Sequence, residues 1–251
     1  MYLGHDNIGA IMRVGITIDW DYFIPDALKG TSCQYETEYY LLNWWRGFEE
    51  RYGKINTSGV EKRFWSVLRD YFLLPNTVIV SDSHKYAYDV MFGCDLVINF
   101  DAHHDCFDVP KPCDVKALSN SYFDEKTLNK VRMGCGNWGG FLLRSDDKLK
   151  FIWVNPNTYG KFPFPREFDD RIEVCGNENI IGKFEDLISL NMGHKITINS
   201  LHICRSGAWS PPWLDDKFIK FVLKSEARPI VVGPRDNWHP LLSRKNVCRS
   251  K

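Results

Sequence analysis

The side chains best suited to chemistry lie in the segment Asp101-Ala102-His103-His104-Asp105, which directly follows the apolar run of residues 95–100. A buried parallel strand delivers the residues after its carboxyl end to the usual site of α/β proteins. Carboxylates this close together repel one another unless a cation neutralises them, and oxygen ligands mixed with imidazole suit Mn²⁺, Fe²⁺ or Zn²⁺. The alternative is a hydrogen-bonded cluster of loop carboxylates and histidines. The number of such residues in one segment favours the metal site.

Two further strand ends carry residues of the same kind. Asp19 and Asp21 flank Trp20 at the end of the apolar run 12–19, and such a pair can bridge two cations, although Asp-x-Asp is also common in solvated turns. His84 follows the run 76–81, where it could bind metal while neighbouring polar side chains orient its ring, or instead cap a helix. Together the three segments predict a two-metal centre. They supply five carboxylate or imidazole groups and a sixth from His84.

The elements that must position these side chains follow an alternating pattern. Runs rich in β-branched residues are separated by stretches with helical spacing, which is typical of a parallel sheet flanked by helices. We predict strands at residues 12–19, 76–81, 95–100, 130–135, 149–154, 196–203 and 229–232, and helices at residues 35–52 and 60–72. Prolines in residues 106–118 and glycines in residues 134–140 predict irregular site loops. The expected fold is α/β, a three-layer α/β/α arrangement with a mainly parallel sheet, in one domain over residues 1–251.

Composition narrows the class of protein. The 251 residues include 32 basic and 32 acidic side chains, so charge gives no reason to expect nucleic acid as a partner. Residues 1–7 lack a basic segment followed by an apolar run, and no stretch of about 18 apolar residues occurs. We therefore expect a cytoplasmic protein without a membrane partner. The eight cysteines never form Cys-x-x-Cys, which favours reduced thiols, with a structural zinc that includes Cys106 and Cys113 as the alternative.

The ligand pattern resembles a known family. His84 followed by Asp101-Ala102-His103-x-Asp105 is similar to the arginase and agmatinase superfamily of binuclear manganese hydrolases, which implies a ureohydrolase-like fold. That family carries a further segment late in the chain, Ser-Φ-Asp-x-Asp-x-x-Asp-Pro, where Φ is apolar. Residues 17–25 resemble it but come first, whereas the late position reads Ser200-Leu201-His202-Ile203-Cys204. The resemblance therefore leaves the strand order open.

A narrower resemblance is to the peptide arginases, ureohydrolase-like enzymes that convert arginine to ornithine within ribosomal precursor peptides. It is carried by Asp-x-Asp-Tyr-Phe at residues 19–23, Asp-Ala-His-His-Asp at residues 101–105 and Gly-Asn-Trp-Gly-Gly at residues 136–140. It implies hydrolysis of a guanidinium group with release of urea, and an arginine-containing peptide as partner. It also implies two Mn²⁺ per chain, with the ligands Asp19, Asp21, His84, Asp101, His103 and Asp105. Asn137, Trp138 and Gly139 are then expected to contact the substrate. The carboxylate that binds the guanidinium and the acid that protonates the leaving amine are sought among His104, Glu178, His202, Asp236 and His239.

Other functions remain open at this point. Metal-dependent amide deacetylases, phosphoesterases and small-molecule ureohydrolases also use clusters of histidine and aspartate at strand ends. A phosphoesterase would favour arginine or lysine near the metals, and the sequence has no basic cluster beside residues 101–105. A non-catalytic, metal-stabilised binding protein is the remaining interpretation, suggested by His202 and Cys204 where the family has aspartates. Residues 209–213, Trp-Ser-Pro-Pro-Trp, would either line a peptide groove or form a packed loop.

Overall fold

The computed structural model describes residues 12–24, 38–107, 110–118, 126, 130–156, 164–207 and 209–233. Eight strands lie in these residues: β1 (Val14–Asp19), β2 (Phe72–Leu73), β3 (Thr77–Ser81), β4 (Leu96–Phe100), β5 (Lys150–Asn155), β6 (Ile172–Gly176), β7 (Ile196–Cys204) and β8 (Arg228–Val232). Seven of them form a sheet in the order β6-β5-β4-β1-β7-β3-β8, and β2 pairs with the start of β7. Every pairing is parallel. The predicted α/β class is confirmed.

Helices cover both faces of the sheet. They are α1 (Glu38–Tyr52), α2 (Phe64–Tyr71), α3 (Ala87–Met91), α4 (Pro112–Leu118), α5 (Trp138–Ser145), α6 (Ile180–Leu190) and α7 (Asp215–Leu223). Side chains of α1, α2, α6 and α7 join one core cluster with β1, β4 and β7. Side chains of α3, α4 and α5 join a second cluster with β4 and β5. The two clusters, one on each face, make the three-layer arrangement that the sequence predicts.

The alternation of side chains along β1 and β4 assigns each residue to one face. Ile16 and Ile18 of β1 point into the core that contains α2 and α7, because successive side chains of a strand lie on opposite faces. Thr17 and Asp19 therefore point toward α3 and α5, as does Val97 of β4. The polar residues of the candidate site thus belong to the α3 and α5 face of the sheet.

Several local predictions differ from the structure. Residues 130–135 do not form a strand, because Arg132 has a φ of 58° and turns the chain while its neighbours Val131 and Met133 are buried. Residues 106–118 and 134–140 were expected to be irregular, yet α4 and α5 begin within them. Pro112 is tolerated at the start of α4 because the first helical residue has no intrahelical use for its N–H. Strands β2 and β6 were not predicted.

The described residues form one sheet with its covering helices, and the single domain over residues 1–251 remains a prediction. Among the described residues, no helix is long and apolar enough to cross a membrane.

Candidate metal centre

The order of the strands brings the predicted ligands together at one edge of the sheet. Strand β1 lies between β4 and β7, and Ile18 pairs with Phe100 on one side and with Ile203 on the other. The residues that follow, Asp19 and Asp101, therefore emerge at the same level. On the far side of β7, β3 ends level with them and continues into the 3-10 turn His84–Tyr86. A central β1 explains how an acidic pair early in the sequence reaches the cluster.

The first group of candidate ligands surrounds the Nδ1 atom of His84. This atom lies 2.8 Å from Asp105 Oδ2, 3.0 Å from Asp101 Oδ2 and 3.3 Å from Asp19 Oδ2, and all four side chains are buried. A single ring nitrogen carries at most one hydrogen, so it cannot donate to three carboxylates. An octahedral cation with bonds of about 2.1 Å separates adjacent ligand atoms by about 3 Å. The observed spacing therefore fits a ligand shell.

The second group contains Asp21, Asp101 and His103. His103 Nδ1 lies 3.1 Å from Asp21 Oδ2 and 3.8 Å from Asp101 Oδ1. Asp101 belongs to both groups, because its Oδ2 faces His84 and its Oδ1 faces His103. The backbone N–H of His103 also donates to Asp101 Oδ1 at 2.8 Å, and Asn99 Nδ2 donates to Oδ2 at 3.3 Å. These bonds fix a carboxylate that points one oxygen at each histidine.

The donor atoms fit divalent cations. Asp19 Oδ1 is a buried carboxylate oxygen that forms no hydrogen bond within the described part of the chain, and His84 Nδ1 faces more carboxylates than one hydrogen can pair. Buried polar and charged groups are costly unless they are paired or coordinate a metal. Carboxylate oxygens mixed with imidazole nitrogen are the ligand types of Mn²⁺, Fe²⁺ and Zn²⁺ sites.

Without cations, the cluster retains protons. Burial, together with the charge of Asp21, raises the pKa of Asp19 to about 7, and burial beside Asp105 raises that of Asp101 well above its usual range. Burial alone would lower the pKa of His103, but the hydrogen bond to Asp21 and the charges of Asp21, Asp101 and Asp105 together outweigh this effect and raise the pKa to about 9. A group that is protonated at pH 7 must lose its proton before it can bind metal.

The segment that was predicted to contact the substrate supports Asp105. Trp138 Nε1 donates to Asp105 Oδ2 at 2.6 Å, and the N–H of Gly139 donates to the Asp105 carbonyl at 2.9 Å. Asn137 closes the preceding turn by accepting the N–H of Gly134. Trp138 and Gly139 are buried. These contacts make Trp138 a partner that orients a candidate ligand, and the substrate contacts of Asn137, Trp138 and Gly139 remain a prediction.

His104 is held in a cluster of aromatic rings. Its ring centroid lies 4.3 Å from that of Phe107 and 4.4 Å from that of Phe164, and its Nδ1 accepts the N–H of Cys106 at 3.0 Å. Burial and the nearby His103 lower the pKa of His104 to about 4. The imidazole is therefore neutral near pH 7, which argues against the predicted role as a proton donor.

The other candidate catalytic residues lie elsewhere. His202, on β7, is fully buried, and its ring is stacked at 5.6 Å behind that of His84, which favours a structural role over proton transfer. Glu178 is exposed on the 3-10 turn that follows β6, a strand separated from β1 by β5 and β4. Asp236 and His239 lie outside the described residues.

Sequence reasoning missed two contacts of the candidate ligands. Thr17 Oγ1 lies 2.7 Å from His84 Nε2, and the ring centroid of Trp209 lies 4.4 Å from that of His103. The position of Thr17, a polar residue two places before Asp19 on the same face of β1, could have indicated the first contact. Trp209 approaches from a distant loop, so no local pattern could have indicated the second.

Comparison of the chain with protein-family models, with curated proteins and with solved structures gave no significant match. The resemblance to the peptide arginases therefore remains a prediction that is carried by the motifs. The geometry of the cluster stands independently of it.

Proposed function

We propose that this protein is a hydrolase that depends on two divalent cations and converts arginine to ornithine within a peptide, with release of urea. The observation that carries the proposal is the position of Asp101, whose two oxygens face His84 and His103 separately. A carboxylate shared in this way is a ligand for a pair of metals, and paired metals are typical of hydrolytic centres.

The charges in the site support a pair of cations. Asp19, His84, Asp101 and Asp105 would hold one, while Asp21, Asp101 and His103 would hold the other. Four ionised carboxylates and two neutral imidazoles balance the charge of two divalent ions, so the buried cluster becomes neutral overall. When bound, such a pair lowers the pKa of water, which makes hydroxide available near neutral pH. We propose Mn²⁺ for both positions, on the motif resemblance.

The described residues favour an approach to the site from the side of His103. The side chain of His103 is 11% exposed, whereas those of Asp101 and His84 are fully buried. Trp209 lies beside this opening with its ring close to that of His103. The face of an indole ring is a favourable surface for a planar guanidinium cation, and the buried floor excludes bulk water from the reacting group. This chemistry supports a guanidinium substrate.

The experiment uses protein loaded with Mn²⁺ and a panel of substrates. The protein is incubated with an arginine-containing peptide, free arginine, agmatine and an acetyl-lysine peptide. Urea is measured, and the masses of the peptides are determined by mass spectrometry. We expect urea and an ornithine-containing peptide from the first substrate. Release of acetate would instead identify an amide deacetylase, and urea from the free substrates alone would identify a small-molecule ureohydrolase.

Two variants control the assay. Asp101→Asn keeps the size of the shared ligand but removes its charge, and we expect it to abolish turnover. Asp95→Asn changes an exposed aspartate paired with Arg13 at the opposite end of β4 and should retain full activity. Metal binding by the wild type without turnover of any substrate would favour a non-catalytic binding protein.

A further inference from the structure

Behind the candidate metal centre, a continuous line of hydrogen bonds runs from His84 to the backbone. His84 Nε2 lies 2.7 Å from Thr17 Oγ1, which lies 3.0 Å from His202 Nδ1. His202 Nε2 lies 2.8 Å from Ser81 Oγ, which in turn lies 2.8 Å from the carbonyl oxygen of Ser83. All of these side chains are buried, and those of Thr17, Ser81 and His202 lie on the same face of the sheet.

The direction of this line is set at its backbone end. The carbonyl of Ser83 can only accept, so the hydroxyl of Ser81 donates to it, since otherwise two acceptor oxygens would be in contact. A hydroxyl has one hydrogen, and therefore Ser81 Oγ accepts from His202 Nε2. Both nitrogens of His202 face hydroxyls rather than carboxylates, and full burial, with no acidic partner among the described residues, disfavours a charged imidazole. His202 is therefore neutral, with Nδ1 as an acceptor.

The hydrogen-bond direction at His202 also sets the directions at Thr17 and His84. Because His202 Nδ1 accepts, Thr17 donates its single hydroxyl hydrogen to that nitrogen. Thr17 Oγ1 must then accept from His84 Nε2. The hydrogen of a neutral His84 thus resides on Nε2, and its Nδ1 directs a lone pair toward the three carboxylates.

We infer that Thr17, His202 and Ser81 are positioning residues that fix the tautomer of His84 so that Nδ1 can bind a divalent cation. This inference rests on the proposed metal centre. It gives a function to His202, a buried histidine that is neither a proposed metal ligand nor part of the proposed reaction. Hydrogen-bonding partners of this kind orient a ligating histidine, and their loss weakens metal binding by about 10- to 100-fold.

The first test measures Mn²⁺ affinity by titration calorimetry. Thr17→Val removes the hydroxyl at nearly constant volume, and we expect one of the two Mn²⁺ sites to weaken by about 10- to 100-fold. Thr17→Ser restores the hydroxyl and should regain most of the wild-type affinity. Thr77→Val, at the opposite end of β3, is the matched control and should bind like the wild type. Equal affinity in the wild type and in a folded Thr17→Val variant would overturn the inference while leaving the metal centre intact.

The second test observes the tautomer directly. Protein labelled with ¹⁵N-histidine and loaded with diamagnetic Zn²⁺ is studied by long-range ¹H–¹⁵N correlation, with His84→Asn and His202→Asn used to assign the signals. We expect the hydrogen on Nε2 of both rings. A hydrogen on Nδ1 of His84 in the loaded protein would overturn the inference. Failure of the wild type to bind either Mn²⁺ or Zn²⁺ would overturn the proposed metal centre and the inference together.

Discussion

Replacement of Asp19 by asparagine should stabilise the metal-free protein and reduce the stabilisation that metal binding provides. In the metal-free protein, burial and the charge of Asp21 raise the pKa of Asp19 from 3.8 to about 7. A raised carboxyl pKa means that the folded state loses stability as the pH rises from about 4 through 7, because the unfolded chain ionises more readily. At 1.36 kcal/mol per pKa unit, the difference corresponds to about 4 kcal/mol above pH 7.

Asparagine avoids this cost because it does not ionise. We expect metal-free Asp19→Asn to be more stable than the wild type by about 2–4 kcal/mol at pH 8, with a melting temperature higher by about 2–4 °C for each kcal/mol. With Mn²⁺ at 100 times the dissociation constant, the wild type should gain about 2.7 kcal/mol per site. The variant should gain less, because it lacks one ligand. The difference between the melting temperatures of the variant and the wild type should therefore shrink or change sign when Mn²⁺ is added.

The assay is differential scanning calorimetry at pH 8, with chelator and with Mn²⁺. Asp95→Asn is the control of opposite sign, because Arg13 lowers the pKa of Asp95 and the variant should lose a little stability in both conditions. An Asp19→Asn variant that is less stable than the wild type in chelator and gains as much stability from Mn²⁺ would contradict this prediction.

Three further predictions test the surroundings of the cluster. Because the pKa of His103 is about 9 without metal, Mn²⁺ binding at pH 7 should release protons, and the apparent affinity for Mn²⁺ should rise by up to about tenfold per pH unit toward pH 9. Calorimetry in two buffers of different ionisation enthalpy checks the proton release, and equal heats of Mn²⁺ binding in the two buffers would contradict it. Trp138→Phe removes the bond to Asp105 and should weaken Mn²⁺ binding by about tenfold, whereas Trp65→Phe, which removes a bond to a carbonyl on α7, should leave Mn²⁺ titrations unchanged. In urea unfolding, Gly139→Ala should destabilise the protein by about 1–3 kcal/mol, because the added Cβ would lie 2.7 Å from Cys106 Sγ. Gly182→Ala, in open space on α6, should stabilise it by about 0.5–1 kcal/mol. Equal effects of the two changes would be evidence against this packing.

The strands at the centre of the sheet could be predicted because they are buried on both faces and read as continuous apolar runs. Strand β6 could not, because it is an edge strand whose Glu173 and Val174 are exposed. The prediction of a strand at residues 130–135 is wrong for a local reason, because the left-handed backbone at Arg132 interrupts a run whose composition suits an extended chain.

The candidate ligands could be predicted for a similar reason, since each lies at or shortly after the end of a strand and parallel strands end at one edge. The supporting residues could not, because their roles depend on contacts between distant parts of the chain. Trp138 lies 33 residues from Asp105, and His202 lies 185 residues from Thr17. Their residue types suggested a substrate surface and a proton shuttle, whereas burial and hydrogen bonding favour the orientation of ligands.

The central claim is that the ends of separate strands hold two divalent cations. Diffraction from crystals grown with Mn²⁺, with data collected on both sides of the manganese absorption edge, tests it most directly. We expect two anomalous peaks, one beside His84 Nδ1 and the other beside His103 Nδ1, with Asp101 contacting both. Absence of a peak at this cluster, or a single peak remote from Asp101, would contradict it.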